Sequence, residues 1–158
     1  MAERCPDKAE VGGSIPPAPT RRGDRGQVIV DRRGGVRNVR DLQVFRRAYE
    51  AGIGLHRLTA KARTDDTVSQ LRRASKSVAA NIAEAYSIAN SPAERKRILG
   101  IAMREADEAK VWLEYCRDLG YLSPEEAQRW LQEYDEIGAM LHALWRGQGR
   151  RDEVTGDR

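Results

Sequence analysis

The chain has 158 residues, a formal net charge of +4, 33% charged side chains and only 6% aromatic ones. That length allows one domain plus extensions, with enough chain to bury a real core. The composition suits a soluble, charged, helix-rich protein: no run of about 18 apolar residues supports a transmembrane helix, and no apolar N-terminal segment supports a signal peptide.

Cys5 sits in a polar leader and Cys116 on an apolar helix face. A bridge between them is not expected, and a reducing, cytoplasmic setting follows. The charge is unevenly distributed. Residues 1–40 hold nine Lys/Arg against five Asp/Glu, whereas residues 41–146 hold sixteen of each. Within that second region, residues 41–90 carry eight positive against five negative and residues 91–146 eight against eleven. A basic first half and an acidic second half can steer self-association.

Residues 1–40 contain Gly12-Gly13, Pro16-Pro17, Gly34-Gly35 and scattered Arg, and only Gln27–Asp31 resembles structure. This leader is expected to be disordered, with arginines that could grip phosphates non-specifically or simply be solvated. The first helix is expected over Asp41–Ala62. Leu42, Phe45, Tyr49, Gly52, His56 and Thr59 form one stripe, with Val44, Ala48, Ala51, Leu55 and Leu58 beside it. So broad an apolar face belongs to a bundle helix. Gly52 and Gly54 cost such a helix roughly 1 kcal/mol each relative to Ala, and a close neighbouring backbone would account for at least one.

After the polar connection Arg63–Thr67, where Asp65, Asp66 or Thr67 can cap, the second helix runs to about Asn90. Its central stretch, Gln70–Tyr86, has an apolar stripe through Leu71, Val78 and Ile82. Small flanks at Ala74, Ser75, Ser77, Ala79, Ala80 and Ala83 permit close approach from several sides. Ser91-Pro92-Ala93-Glu94 and Ser123-Pro124-Glu125-Glu126 read as capping boxes with proline in the first turn. They open a third helix, stopped by Gly120, and a fourth, ended by Gly147 and Gly149. Four amphipathic helices of about 20–28 residues with short connections force antiparallel neighbours. The expected fold is all-α: an up-down-up-down four-helix bundle over residues 41–146, with the leader before it and a flexible tail at 147–158.

Little in the residues supports an enzyme. His56 and His142 are the only histidines and belong to no catalytic motif; each reads as a core-edge residue. Glu105/Glu108 and Glu133/Glu136 lack the Glu-x-x-His partners of di-metal bundles, so no metal and no cofactor is expected. No Gly-rich phosphate loop is present. Arg72, Arg73 and Lys76 fall within little more than one turn, and Arg46, Arg47, Arg57, Lys61 and Arg63 could join them from the first helix. Such a patch suits nucleic acid, or is the ordinary charged face of a bundle. Asn81 and Glu84 lie on a polar line with Ser77, and hydrogen bonds to a neighbouring helix or subunit are expected for them.

DLQVFRRAYEAGIGLHRLT, QLRRASKSVAANIAEAY and RILGIAMREADEAKVWLEYCRDLGYLS resemble the bacterial four-helix bundle proteins first described as encoded in 23S rRNA intervening sequences. The resemblance spans about Val36 to Trp145. Its most specific part is Gln70, Arg73, Ala74, Ser77, Val78, Asn81, Ile82, Ala83 and Glu84 at their spacing on one helix. It implies a ring of five copies. More distantly it implies kinship with the accessory variability determinants of diversity-generating retroelements, which bind a reverse transcriptase and nucleic acid through basic surfaces. The chain departs from the family pattern at Ala85, Arg104 and Glu105, where small residues are usual, and in a shorter connection before Gln70. The leader lies outside the pattern, which implies an over-extended reading frame or a private appendage. Two functional expectations stay open: a non-catalytic oligomeric scaffold that contacts RNA or DNA, or a ribonucleoprotein partner, through its basic face; and a protein-interaction module whose acidic residues Glu125, Glu126, Glu133, Asp135 and Glu136 meet a neighbour's basic half.

Overall fold

The computed structural model describes residues 38–61 and 65–153, with side chains at 38–60 and 65–147. The expected leader up to residue 37, Arg63, and the tail beyond 153 lie outside the described residues. Four helices form: α1 (Gln43–Leu58), α2 (Asp66–Ser87), α3 (Pro92–Asp118) and α4 (Pro124–Glu153). A 3-10 turn precedes α1 (Val39–Asp41) and another follows it (Thr59–Lys61).

The ends follow from local chemistry. Asp65 caps α2, its Oδ1 accepting from the Thr67 amide at 2.6 Å. At α4 the capping box is reciprocal: Ser123 Oγ accepts from the Glu126 amide and Glu126 Oε2 accepts from the Ser123 amide. At α3 it is half made. Ser91 accepts from the Glu94 amide, but the Glu94 carboxylate turns to Arg97 instead. Gly120, at φ 76°, ends α3. The Tyr121 amide returns to the Cys116 carbonyl at 2.8 Å and the Gly120 amide to Arg117 at 3.0 Å, the paired bonds of a Schellman ending. Gly147 was expected to stop α4, yet the helix continues to Glu153. Glycine in helical φ only weakens a helix, and among the described residues Gly120 alone adopts the left-handed conformation.

Side-chain pairs fix the bundle's topology. Arg47 of α1 meets Glu133 of α4, while Gly54, further along α1, meets Trp130, further back on α4. Gly52 lies against Ser75, and the end of α1 at Thr59 against Arg72. Lys110 of α3 pairs with Asp135 of α4. Each neighbouring pair thus runs antiparallel, and α1 closes the square by touching α4. The helices form an up-down-up-down four-helix bundle. At one end, the Tyr121 hydroxyl donates to Asp65 at 2.5 Å and ties the α3–α4 loop to the start of α2.

The core uses the expected stripes. Leu71, Val78 and Ile82 of α2, and Ile98, Ala102, Ala106, Ala109, Leu113 and Cys116 of α3, are all buried. The alanines let α2 and α3 pack closely, in the most extensive helix contact of the bundle. Helix α1 buries most of both expected stripes, Leu42, Phe45, Gly52 and Thr59 of one and Val44, Ala48, Ala51 and Leu55 of the other, but Tyr49 and His56 of the first face solvent. His142 is also exposed rather than at a core edge.

Both α1 glycines have packing reasons. A Cβ on Gly52 would lie 3.2 Å from the Ser75 carbonyl oxygen, the close backbone approach expected. A Cβ on Gly54 would lie 2.5 Å from the Trp130 ring.

Candidate nucleic-acid interface

Consecutive residues on a helix point about 100° apart, so adjacent arginines have different fates. Arg46 is exposed, but Arg47 is turned toward α4. Its Nε and Nη2 fork onto Glu133 at 2.7 and 2.6 Å, and its Nη1 reaches Glu136 at 2.6 Å. The guanidinium pKa is pushed well up by the Glu133 hydrogen bond, against the opposing effect of burial. Arg47 is thus held by two carboxylates, and Glu133 and Glu136 are correspondingly engaged.

Arg72 and Arg73 divide the same way. Arg72 reaches back across the bundle end, donating from Nε to Thr59 Oγ1 at 2.9 Å and from Nη2 to the Thr59 carbonyl. Thr59 Oγ1 in turn donates to the Leu55 carbonyl at 2.7 Å. This network satisfies acceptors left open where α1 ends. Arg73 and Lys76, one turn apart, are exposed and make no ion pair among the described residues. They border a shallow open groove of about 420 Å³, with Ser69, Ser77 and Ala80 as its low walls. Small residues beside two cations let a flat or extended anionic chain come close to the helix. Arg57 is exposed at the end of α1, and Lys61 lies in the following turn with its side chain outside the described residues.

The signature residues of α2 separate onto two faces. Ala74 and Ile82 are buried, and Ala83 packs against the core's edge. Gln70, Arg73, Ser77, Asn81 and Glu84 follow one another at three or four residues along the outer side, each at least partly accessible. Asn81 does not reach another helix. Its amide donates to the Ser77 carbonyl at 2.8 Å on its own helix, closing a local bond that a residue four positions back always offers. Glu84 is exposed and acts electrostatically on Arg97 of α3.

The departures from the family pattern fit the packing. Ala85 is buried within the core, and Arg104 is exposed, with no ion pair among the described residues. Glu105 is half-exposed.

Among the described residues, no group of three or more His, Cys, Asp or Glu is placed to hold a metal ion, and no helix is long and apolar enough to cross a membrane. Burial, with a smaller contribution from Asp65, pushes the Cys116 thiol up to about 11, far from a reactive thiolate.

Sequence reasoning missed two features. Tyr115, Val111 and Leu119 form an exposed apolar ridge on α3, and Tyr49 and Ile53 form another on α1. Their i, i+4 spacing was present, but beside a stronger buried stripe it could not be assigned to a second, outward face.

The sequence model of the 23S rRNA-intervening sequence proteins matches residues 40–143, the whole of the helical region up to the last turns of α4. A solved structure, that of a protein of unknown function from the S23 ribosomal protein family of Bacteroides thetaiotaomicron, is similar at 26% identity and a TM-score of 0.60. The match covers 65% of this chain and 97% of that one. Among curated proteins nothing matches.

Proposed function

The chain belongs to the 23S rRNA-intervening sequence protein family, and on that premise we propose that it is a non-catalytic, self-associating helical scaffold that contacts RNA or DNA through the outer face of α2. One observation carries this reading: Arg73 and Lys76 stand exposed beside a small-walled groove, while Arg72 on the same helix and Arg47 on α1 are engaged inside the fold. Cations with structural roles explain themselves; these two do not. The contact would be to the phosphate backbone, because a shallow, open groove with small walls offers no enclosed pocket for reading a base. Self-association, as a ring by resemblance, would multiply a weak two-cation contact by presenting it several times on one particle. A ribonucleoprotein or reverse transcriptase is the kind of partner such an array would serve.

The test is binding of a labelled single-stranded RNA of about 20 nucleotides across a salt series. The wild-type affinity is expected to fall steeply between about 50 and 200 mM salt. Arg73→Glu with Lys76→Glu should lower the slope of log affinity against log salt by about 1.4 per chain engaged, while leaving the fold and assembly intact. A flat salt response, or binding unaffected by the double substitution, would remove the nucleic-acid role. The rival reading, an acidic α4 surface meeting a neighbour's basic half, loses Glu133 and Glu136 to Arg47 of the same chain.

A further inference from the structure

Tyr49 of α1 holds an accessible aromatic ring close to the groove proposed above for a polynucleotide. Among the described residues the side chain is left 45% exposed. The ring stacks on buried Phe45, with centroids 6.0 Å apart, and the Arg40 guanidinium lies over it, 5.6 Å from its centre. Its neighbours thus hold it in one orientation, so little side-chain entropy is lost when a ligand settles on it. The ring and the planar guanidinium together make one flat π surface at the start of α1.

Helix geometry sets that surface beside the groove. Gly52 marks the level at which α1 touches α2: a Cβ there would lie 3.2 Å from the Ser75 carbonyl oxygen and 3.6 Å from the Lys76 Cα. The two helices run antiparallel, so Tyr49, three residues before Gly52, stands level with Ala79 and Ala80. It lies about 60° around α1 from Gly52, on the shoulder toward α2. Arg47 and Gly54, which meet α4, lie on the other shoulder. Ala80 also lines the groove, and Lys76 and Arg73 follow along α2 at about 6 and 10 Å from that level. The seam between α1 and α2 has one sign of charge. The acids of the two helices, Glu50, Asp66 and Glu84, fall on their other sides, and Glu84 acts on Arg97 of α3.

We propose that the polynucleotide is single-stranded, and that one of its bases stacks on Tyr49 and Arg40 while Arg73 and Lys76 hold its phosphates. Cations that track a backbone, with an aromatic face beside them, are the two parts from which single-strand binding surfaces are built. A paired base has both faces covered by its neighbours in the duplex, so only an unpaired base can use the platform. Stacking engages the face of a base and not its edge, so any base serves, and no enclosed pocket is needed. This inference rests on the nucleic-acid role proposed above; it names the class of polynucleotide and adds Tyr49 and Arg40 to the site.

The experiment uses the full chain and two labelled single strands of DNA of equal length and charge, one with bases and one made of abasic sites. The wild type is expected to bind the strand with bases about fivefold or more tightly. Tyr49→Leu, which keeps an apolar contact for Phe45 but has no ring, should abolish that preference and leave the abasic strand and the salt slope unchanged. Tyr49→Trp should retain the preference. Arg73→Glu with Lys76→Glu should weaken both strands alike. Far-ultraviolet circular dichroism checks each fold, and Tyr49→Met replaces the leucine variant if that one loses helicity. Binding of neither strand overturns the nucleic-acid role and this inference with it. Equal binding of the two strands by the wild type overturns the stacking platform alone. A preference that survives in Tyr49→Leu places the stacked base elsewhere and overturns the assignment to Tyr49.

Discussion

Arg47 of α1 holds Glu133 of α4 through two parallel hydrogen bonds, Nε to Oε1 at 2.7 Å and Nη2 to Oε2 at 2.6 Å. The α1–α4 contact is the thinnest of the four sides of the bundle, so this fork ties the first helix to the last where apolar packing contributes least. The side chains of Arg47 and Glu133 are only 21% and 15% exposed, which spares them most of the screening that makes surface pairs weak. Arg47→Ala should destabilise the fold by about 2 kcal/mol, the scale for leaving a partly buried charge without its partner. Arg47→Lys should recover part of that loss, since a single ammonium cannot reproduce the fork. Urea unfolding midpoints measure both.

The glycines should divide by sign. Gly100 and Gly138 have nothing within 4 Å of an added Cβ, so Ala at either should stabilise by about 0.5–1 kcal/mol through helix propensity alone. At Gly52 the methyl would press on the Ser75 carbonyl, and at Gly54 on the Trp130 indole. Overpacking of that kind costs typically about 1–3 kcal/mol, enough to outweigh the propensity gain. Thermal unfolding of the four variants should therefore show two midpoints above wild type and two below.

Arg72 and Arg73 should separate stability from binding. Arg72→Ala removes the hydrogen bonds to Thr59 and frees the end of α1, at a cost of about 1–2 kcal/mol. Arg73 is exposed with no ion pair among the described residues, so Arg73→Ala should leave stability within about 0.5 kcal/mol of wild type. Measuring unfolding and RNA binding on the same two proteins should show opposite rankings.

Acid should loosen the loop end of the bundle. The Tyr121 hydroxyl, and then the Thr67 amide, hold the Asp65 carboxyl below its ordinary pKa. A carboxyl with a lower pKa folded than unfolded stabilises the fold above its unfolded value of about 3.9 and loses that contribution as pH falls through the folded value. Tyr121→Phe should thus be less stable than wild type near neutrality, with the difference narrowing as pH drops below about 4. Urea midpoints over a pH series would show it; a constant difference would mean that Tyr121 acts through packing alone.

Much of the architecture was legible in order along the chain. Caps at Asp65, Ser91 and Ser123, the stop at Gly120 and the apolar stripes of α2 and α3 act within a few residues, so they announce themselves locally. The close approach at Gly52 was legible too, because a glycine inside a helix demands a reason. The outward placement of Tyr49 and His56 was not. Both stripes of α1 are largely buried, and only the packing of the neighbouring helices sets where the buried face ends.

The basic patch shows the same division. The amino-acid order by itself determined that Arg46, Arg47, Arg72, Arg73 and Lys76 would lie on two adjacent helices. The tertiary structure decided which of them remained available. Glu133 lies 86 positions beyond Arg47, and Thr59 lies 13 before Arg72. A partner that distant in the chain is set by how the helices pack and in what direction, whereas a helix face is set by residues three and four apart.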